Sequence, residues 1–201
     1  MSARGRPAGF DRNTVLQKAM LLFWAKGYQA TSISDLVNCM GIQSASIYSA
    51  FGSKENLFDE VVQLYCASVG RDIWGPLQQH ALARDGIEAM LRTSAKVMRI
   101  GAGPGGCLVN LGAIEGGAAD AVTAKLRALR HGSEQHIIAR LEKAKDAGEI
   151  AATVNAEQVG MFYGAIQQSI SLKARDGASA AQLTQLIDLA MDVWPQLTRE
   201  K

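Results

Sequence analysis

Apolar residues recur three and four positions apart from one end of this chain to the other, without the strict alternation of a half-buried strand. A chain patterned in this way is confined to helices packed on helices. Asp11, then Val15, Leu16, Ala19, Met20, Leu22 and Phe23, then Gly27 give an N-cap, an apolar face and a C-terminal stop in order. Ser32 opens a second segment over Ile33, Leu36, Val37 and Met40, with Asp35 placed as in a capping box, and Gly41 ends it. A third short segment spans about Gln43 to Phe51. Ser53-Lys54-Glu55 opens a fourth that should run to Gly75-Pro76 and break there.

Beyond Pro76 the pattern stays helical. Ile87, Met90, Leu91 and Val97 to Ile100 mark a helix that ends in the glycine-rich run Gly101 to Gly106. A short segment from Cys107 to Glu115 follows. Val122, Leu126, Leu129, Ile137, Leu141 and Ala144 then keep the spacing as far as Gly148. Two last helices are expected over Ala156–Ala174 and Ser179 to about Leu197. The fold class expected is all-α.

At 201 residues the chain suffices for one sizeable domain or two small ones. Its 48% hydrophobic and 20% charged residues are those of an ordered globular protein. Formal charge is only +2, so any affinity for nucleic acid must come from a local patch. Residues 1–55 supply one: Arg4, Arg6, Arg12, Lys18, Lys26 and Lys54 stand against Asp11, Asp35 and Glu55, an excess of +3, and the remaining residues sum to −1.

Other classes find little support. The longest charge-free stretch, Leu36 to Ser53, is interrupted by Asn38, Gln43 and serines, so no membrane partner is expected. The basic start, Met1 to Pro7, has no apolar core behind it, unlike a secretory signal. Cys39, Cys66 and Cys107 are odd in number and lack CxxC spacing, which suits a reducing cytoplasm. His131 and His136 are five apart and His80 is remote, so no metal or cofactor is expected. Gly101 to Gly106 formally satisfies GxGxxG, but a helix rather than a strand precedes it and Pro104 sits inside the turn, so it reads as a joint. No nucleophile elbow, Walker motif or HExxH occurs, and nothing positive supports an enzyme.

The informative stretch runs from Thr31 to Lys54. Two short amphipathic helices joined through Met40-Gly41-Ile42-Gln43 form a helix-turn-helix, whose second helix can lie in a DNA major groove. In that second helix Ile47 and Phe51, four apart, anchor one face. Ser44, Ala45, Ser46 and Ser49 then lie outward, small enough for close approach to base edges, and Tyr48 can reach a phosphate with its phenol. A solvated surface helix in a bundle, or a module that binds protein instead of DNA, fits the same pattern.

Gly27-Tyr28, Thr31-Ser32-Ile33, Leu36-Val37, Gly41-Ile42, Ile47-Tyr48, Phe51, Ser53-Lys54-Glu55 and Leu57-Phe58 keep their spacing over about residues 10–60. This stretch resembles the N-terminal signature of the tetracycline-repressor (TetR) family of transcriptional regulators. The resemblance implies a helix-turn-helix DNA-binding domain over residues 1–55 and a helical effector-binding and dimerisation domain over 56–201. It implies that Thr31 and Ser32 bind a phosphate, that Ser44, Ala45 and Ser46 face bases, and that Tyr48 and Lys54 clamp the backbone. Arg4 and Arg6 would enter the adjacent minor groove. Many members carry Lys or Arg early in the reading helix; Gln43 to Ser46 has neither, which shifts weight to hydroxyls, waters and DNA shape.

One reading helix spans few base pairs, so two copies on palindromic double-stranded operator DNA, spaced about 34 Å, are expected. Tyr163, Ile166 and Ile170 form one candidate homodimer stripe; Leu183, Leu186, Ile187, Ala190, Val193 and Trp194 form another. Both could equally close within one chain. The region from Gly75 to Phe162 is the expected sensor, and the candidate lining of its pocket for a small, mainly apolar or aromatic effector is Trp74, just before it, with Met90, Met98, Cys107, Asn110, Met161 and Phe162. Core filling is the competing reading for each, and Cys107 is open to both a sensor and a buried-hydrophobe reading. Repression with release by the effector is what the resemblance implies.

Overall fold

The computed structural model describes residues 10–99, 101, 103–114 and 120–199. Arg4 and Arg6 lie outside them.

The described residues form helices and no β-strand. Helix α1 (Arg12–Lys26) starts where the Asp11 carboxylate accepts from the Asn13 and Thr14 amides, and ends at Gly27, whose φ of +80° an L side chain rarely adopts. Helix α2 (Ile33–Met40) opens on the Ser32–Asp35 capping box and closes at left-handed Gly41. Three residues later α3 (Ser44–Phe51) crosses it, sealed underneath by Ile47 and Phe51.

Helix α4 (Lys54–Tyr65) is not broken at Gly75-Pro76. It passes through a wide π turn at Cys66–Gly70 directly into α5 (Arg71–Gln79), with Pro76 inside. The proline ring crowds the carbonyl four residues back, on Asp72, which faces solvent where the backbone can tilt outward. Helix α6 (Ala83–Val97) leads to the glycine joint. Short α7 (Leu108–Leu111), long α8 (Ala121–Asp146), α9 (Ala156–Arg175) and α10 (Ala180–Asp192) follow. The helix expected to reach Leu197 stops at Asp192 and resumes as α11 (Trp194–Thr198), because Pro195 must sit in a first turn.

One continuous apolar core runs from Val15 to Trp194. Leu57, Phe58, Val61 and Val62 of α4 belong to it and α4 packs on α1, so a division at residue 55 cuts at the first turn of a helix shared by both parts. Polar contacts reinforce the junction. The Trp24 indole donates to the Gly106 carbonyl at 2.9 Å, and the Arg175 guanidinium donates to the Trp24 and Ala25 carbonyls at 2.6 and 2.7 Å. Gly103 lies so close to Trp24 that a Cβ there would sit 2.9 Å from the indole, so the glycine-rich joint is shaped for this contact. No helix of the described residues is long and apolar enough to cross a membrane.

Candidate nucleic-acid interface and an internal cavity

The outer face of α3 is built by what lies beneath it. Ile47 and Phe51 are 1% and 4% exposed, which fixes the helix rotation and turns Ser44, Ala45, Tyr48 and Ser49 to solvent. Ser46 is half-buried. Gln43 contributes no side-chain cap; the Ser46 amide donates to the Gln43 carbonyl at 2.9 Å, while the Ser44 and Ala45 amides have no partner among the described residues, a favourable end for an anion. Arg12, at the edge of this unit, is held by Glu60 at 2.7 Å and lies 4.5 Å over the Phe51 ring.

Thr31 does not stand where the sequence reading put it. It is fully buried, and its hydroxyl donates to the Gly27 carbonyl at 2.6 Å, closing the α1–α2 turn instead of meeting a phosphate. Ser32 is exposed, but its hydroxyl accepts from the Asp35 amide at 3.0 Å and donates to the Asp35 carboxylate at 2.9 Å. The α2 N-terminus thus already carries an anion. Lys26, 2.9 Å away, and the Ser32 amide and hydroxyl hold the Asp35 carboxyl down at about 2. Lys54 is half-buried with its ammonium 4.3 Å over the Tyr28 ring, and burial lowers its pKa from the ordinary value.

A cavity of about 450 Å³ opens among α4, α5, α7, α8 and α9. Trp74, Cys107 and Asn110 are on its wall, as the sequence suggested. Tyr65 and Cys66 come from the end of α4 and the π turn, Ile73 from α5, Val109 from α7, Leu129, Ser133 and His136 from α8, and Gln167 from α9. Tyr65, Ile73 and Val109 are at once core and cavity wall, and nothing in helical spacing separates the two roles. The π turn, which rotates Tyr65 and Cys66 relative to α5, has no sequence mark of its own.

Four other candidates are elsewhere. Met90 and Met98 are fully buried core residues, Met161 is 58% exposed, and Phe162 packs its ring edge on Tyr163 at 5.0 Å. The Cys107 thiol is buried, and burial pushes its pKa up, which keeps it protonated and slow to react. Tyr65, packed edge-on against Trp24 at 5.1 Å, has a sealed hydroxyl with no hydrogen-bond partner among the described residues.

The two apolar stripes close largely within the chain. Tyr163, Ile170, Leu183, Ile187, Ala190 and Trp194 are at most 7% exposed, and the Tyr163 hydroxyl donates to the Ala190 carbonyl at 3.0 Å. These six are core residues, not a free face. Ile166 and Leu186 are half-buried and Val193 is exposed. The outward apolar residues of α9 and α10 are instead Met161, Leu172 and Leu189, with Val193, at 37–67% exposure.

Comparison with known proteins identifies the architecture. Residues 15–61 match the model of bacterial regulatory proteins, tetR family, and residues 81–189 match the tetracyclin repressor-like C-terminal domain. The HTH-type transcriptional repressor ComR of Escherichia coli (strain K12) is 30% identical over 204 residues, covering 98% of this chain and 95% of ComR. The repressor BdcR of the same strain is 28% identical, covering 89% of this chain and 86% of BdcR. The TetR family transcriptional regulator CifR, a cysteine mutant complexed with 26bp double-strand operator DNA, superposes with a TM-score of 0.91 at 34% identity, covering 94% of this chain and all of that one. Matched over both its helix-turn-helix head and its helical body, the chain belongs to the TetR family of transcriptional regulators, DNA-binding proteins that are not enzymes.

Proposed function

We propose that this chain acts in the cytoplasm as a homodimeric repressor, seating two copies of α3 in successive major grooves of a palindromic operator, and that a small, mainly apolar or aromatic effector in the 450 Å³ cavity releases it. The observation that carries this reading is the outer face of α3: small and hydroxylated residues, exposed Ser44, Ala45, Tyr48 and Ser49, and an N-terminus without a side-chain cap. The CifR relative, seen in complex with operator DNA, supports it. Ser44, Ala45, Ser46 and Ser49 face bases, while Tyr48 and Lys54 hold the backbone and Arg4 and Arg6 enter the minor groove. Met161, Leu172, Leu189 and Val193 are the exposed apolar side chains from which the dimer contact is built. Releasing DNA about 100-fold requires about 2.7 kcal/mol of differential effector affinity, within the usual range of coupling.

The test is selection of binding sites from a random duplex pool at near-physiological salt. An enriched palindrome with half-sites about one helical turn apart supports the reading. No enrichment from a folded dimer removes it and leaves the protein-binding module.

A further inference from the structure

The polar atoms of the cavity carry a signature for its ligand. Asn110 on α7 and Gln167 on α9 are 9% and 4% exposed, and the Asn110 amide donates to the Gln167 carbonyl oxygen at 3.1 Å. That bond uses one donor and one acceptor. The Asn110 Oδ1 and the Gln167 Nε2 have no partner among the described residues, and neither atom is sealed in packing; both residues line the cavity, and Asn110 also borders a neighbouring cleft beside Arg130. Turning both amides over exchanges the roles of the two residues and leaves the same pair, one acceptor beside one donor.

Charge narrows the choice. No Asp or Glu lines the cavity among the described residues, so nothing there balances a cationic head. Arg71, the one permanently charged side chain on its wall among the described residues, is 75% exposed at the rim; His136 is the one imidazole there, and Arg130, whose guanidinium donates to the Val109 carbonyl at 2.8 Å, is not among the lining residues. An anionic head beside Asn110 would therefore find no permanently charged partner on the enclosed wall. Ile73, Trp74 and Leu129 supply an apolar enclosure for the rest of the molecule.

We propose that the cavity binds a neutral aromatic molecule whose polar head both donates and accepts a hydrogen bond, as a phenol or an aromatic amide does, and that Asn110 and Gln167 hold that head. This rests on reading the cavity as the effector site. The site also bridges the two parts of the machine. Asn110 sits in α7, which is followed by the Gly112 carbonyl that the Tyr28 amide holds at 2.7 Å, and Gln167 sits in the helix that bears Met161 and Leu172.

The test measures binding of 2-naphthol, 2-methoxynaphthalene and 2-naphthoate to the full-length protein by calorimetry and thermal shift at pH 7. The three share a ring system and differ in head: donor and acceptor, acceptor only, and anion. The expected result is 2-naphthol binding at least about tenfold more tightly than either of the others. Replacing both amides together, Asn110→Leu with Gln167→Met, avoids stranding one of them and should bring 2-naphthol within about twofold of 2-methoxynaphthalene in a protein of unchanged melting temperature. Equal binding of 2-naphthol and 2-methoxynaphthalene to the unmodified protein, or tighter binding of 2-naphthoate, overturns the proposed head while the cavity remains a ligand site. Loss of stability in the double variant does not rescue the proposal, because the preference in the unmodified protein decides it. Binding of none of the three overturns the head proposal and counts against the effector cavity, with the operator reading judged separately by site selection.

Discussion

The Tyr28 amide donates to the Gly112 carbonyl at 2.7 Å, joining the turn after α1 to the end of α7. Gly27 approaches the same carbonyl so closely that a Cβ would stand 3.2 Å from it. The helix-turn-helix unit is therefore seated on the segment whose other side, at Cys107, Val109 and Asn110, forms the cavity wall. A shift of α7 by a fraction of an ångström must be accommodated at Tyr28 or Trp24, because close-packed interfaces deform little before they repack.

Arg175 closes the same junction from α9, with its guanidinium on the carbonyl end of α1. Arg175→Ala removes two charge-assisted hydrogen bonds and a favourable charge at a helix C-terminus. A loss of about 2–3 kcal/mol is expected, read as a fall in melting temperature of about 6 °C by circular dichroism. Arg175→Lys should restore only part, since one ammonium cannot hold both carbonyls in the same geometry.

Two glycines should respond oppositely to alanine. At Gly106 the φ is +67° and a Cβ would lie 2.5 Å from Leu111 Cδ1 and 3.0 Å from the Ser171 carbonyl, so Gly106→Ala should cost about 2 kcal/mol or more. At Gly132, inside α8, a Cβ meets nothing within 4 Å and projects at the cavity wall. Gly132→Ala should raise stability by about 0.5–1 kcal/mol and weaken any cavity ligand, checked by paired melting and binding curves.

Tyr65→Phe should leave the melting temperature unchanged or raise it. The lost hydroxyl is sealed without a hydrogen-bond partner among the described residues, and burial holds its pKa well above the ordinary tyrosine value. Removing an unsatisfied buried group is worth about 1 kcal/mol. A marked fall in melting temperature would show that the hydroxyl is bonded in solution.

On an operator found by selection, Lys54→Ala should weaken every sequence alike and lower the salt slope by about one unit. Ser44→Ala and Ser46→Ala should change which sequence is preferred. Binding isotherms over a range of salt, on matched and mismatched duplexes, separate the two behaviours. Equal losses on all duplexes for all three variants would refute the division into clamp and reader.

Acid should loosen the α1–α2 turn through Asp35. Its folded pKa of about 2 lies below the ordinary 3.8, so its contribution is complete above about pH 4 and is lost as pH falls through about 2. Asp35→Asn should remove the part of the acid transition that lies between about pH 4 and pH 2, as followed by circular dichroism.

Local chemistry determined the helices of this protein. Asp11, Ser32, Gly41 and Ser53 act within four residues of themselves, so capping and turn geometry were readable from sequence alone. The rotation of α3 was readable too, because Ile47 and Phe51 are the bulky apolar pair of an eight-residue helix. Tertiary structure decided the rest. It buried Thr31, carried a helix through Pro76, turned Tyr163 and Trp194 inward, and left Leu189 and Met161 outside. It also brought Asn110 and Gln167, fifty-seven residues apart, to one bond. A helix with apolar side chains around much of its circumference does not state which of them meets its own core, a cavity or a second copy. Only the packing of the neighbouring helices assigns each face.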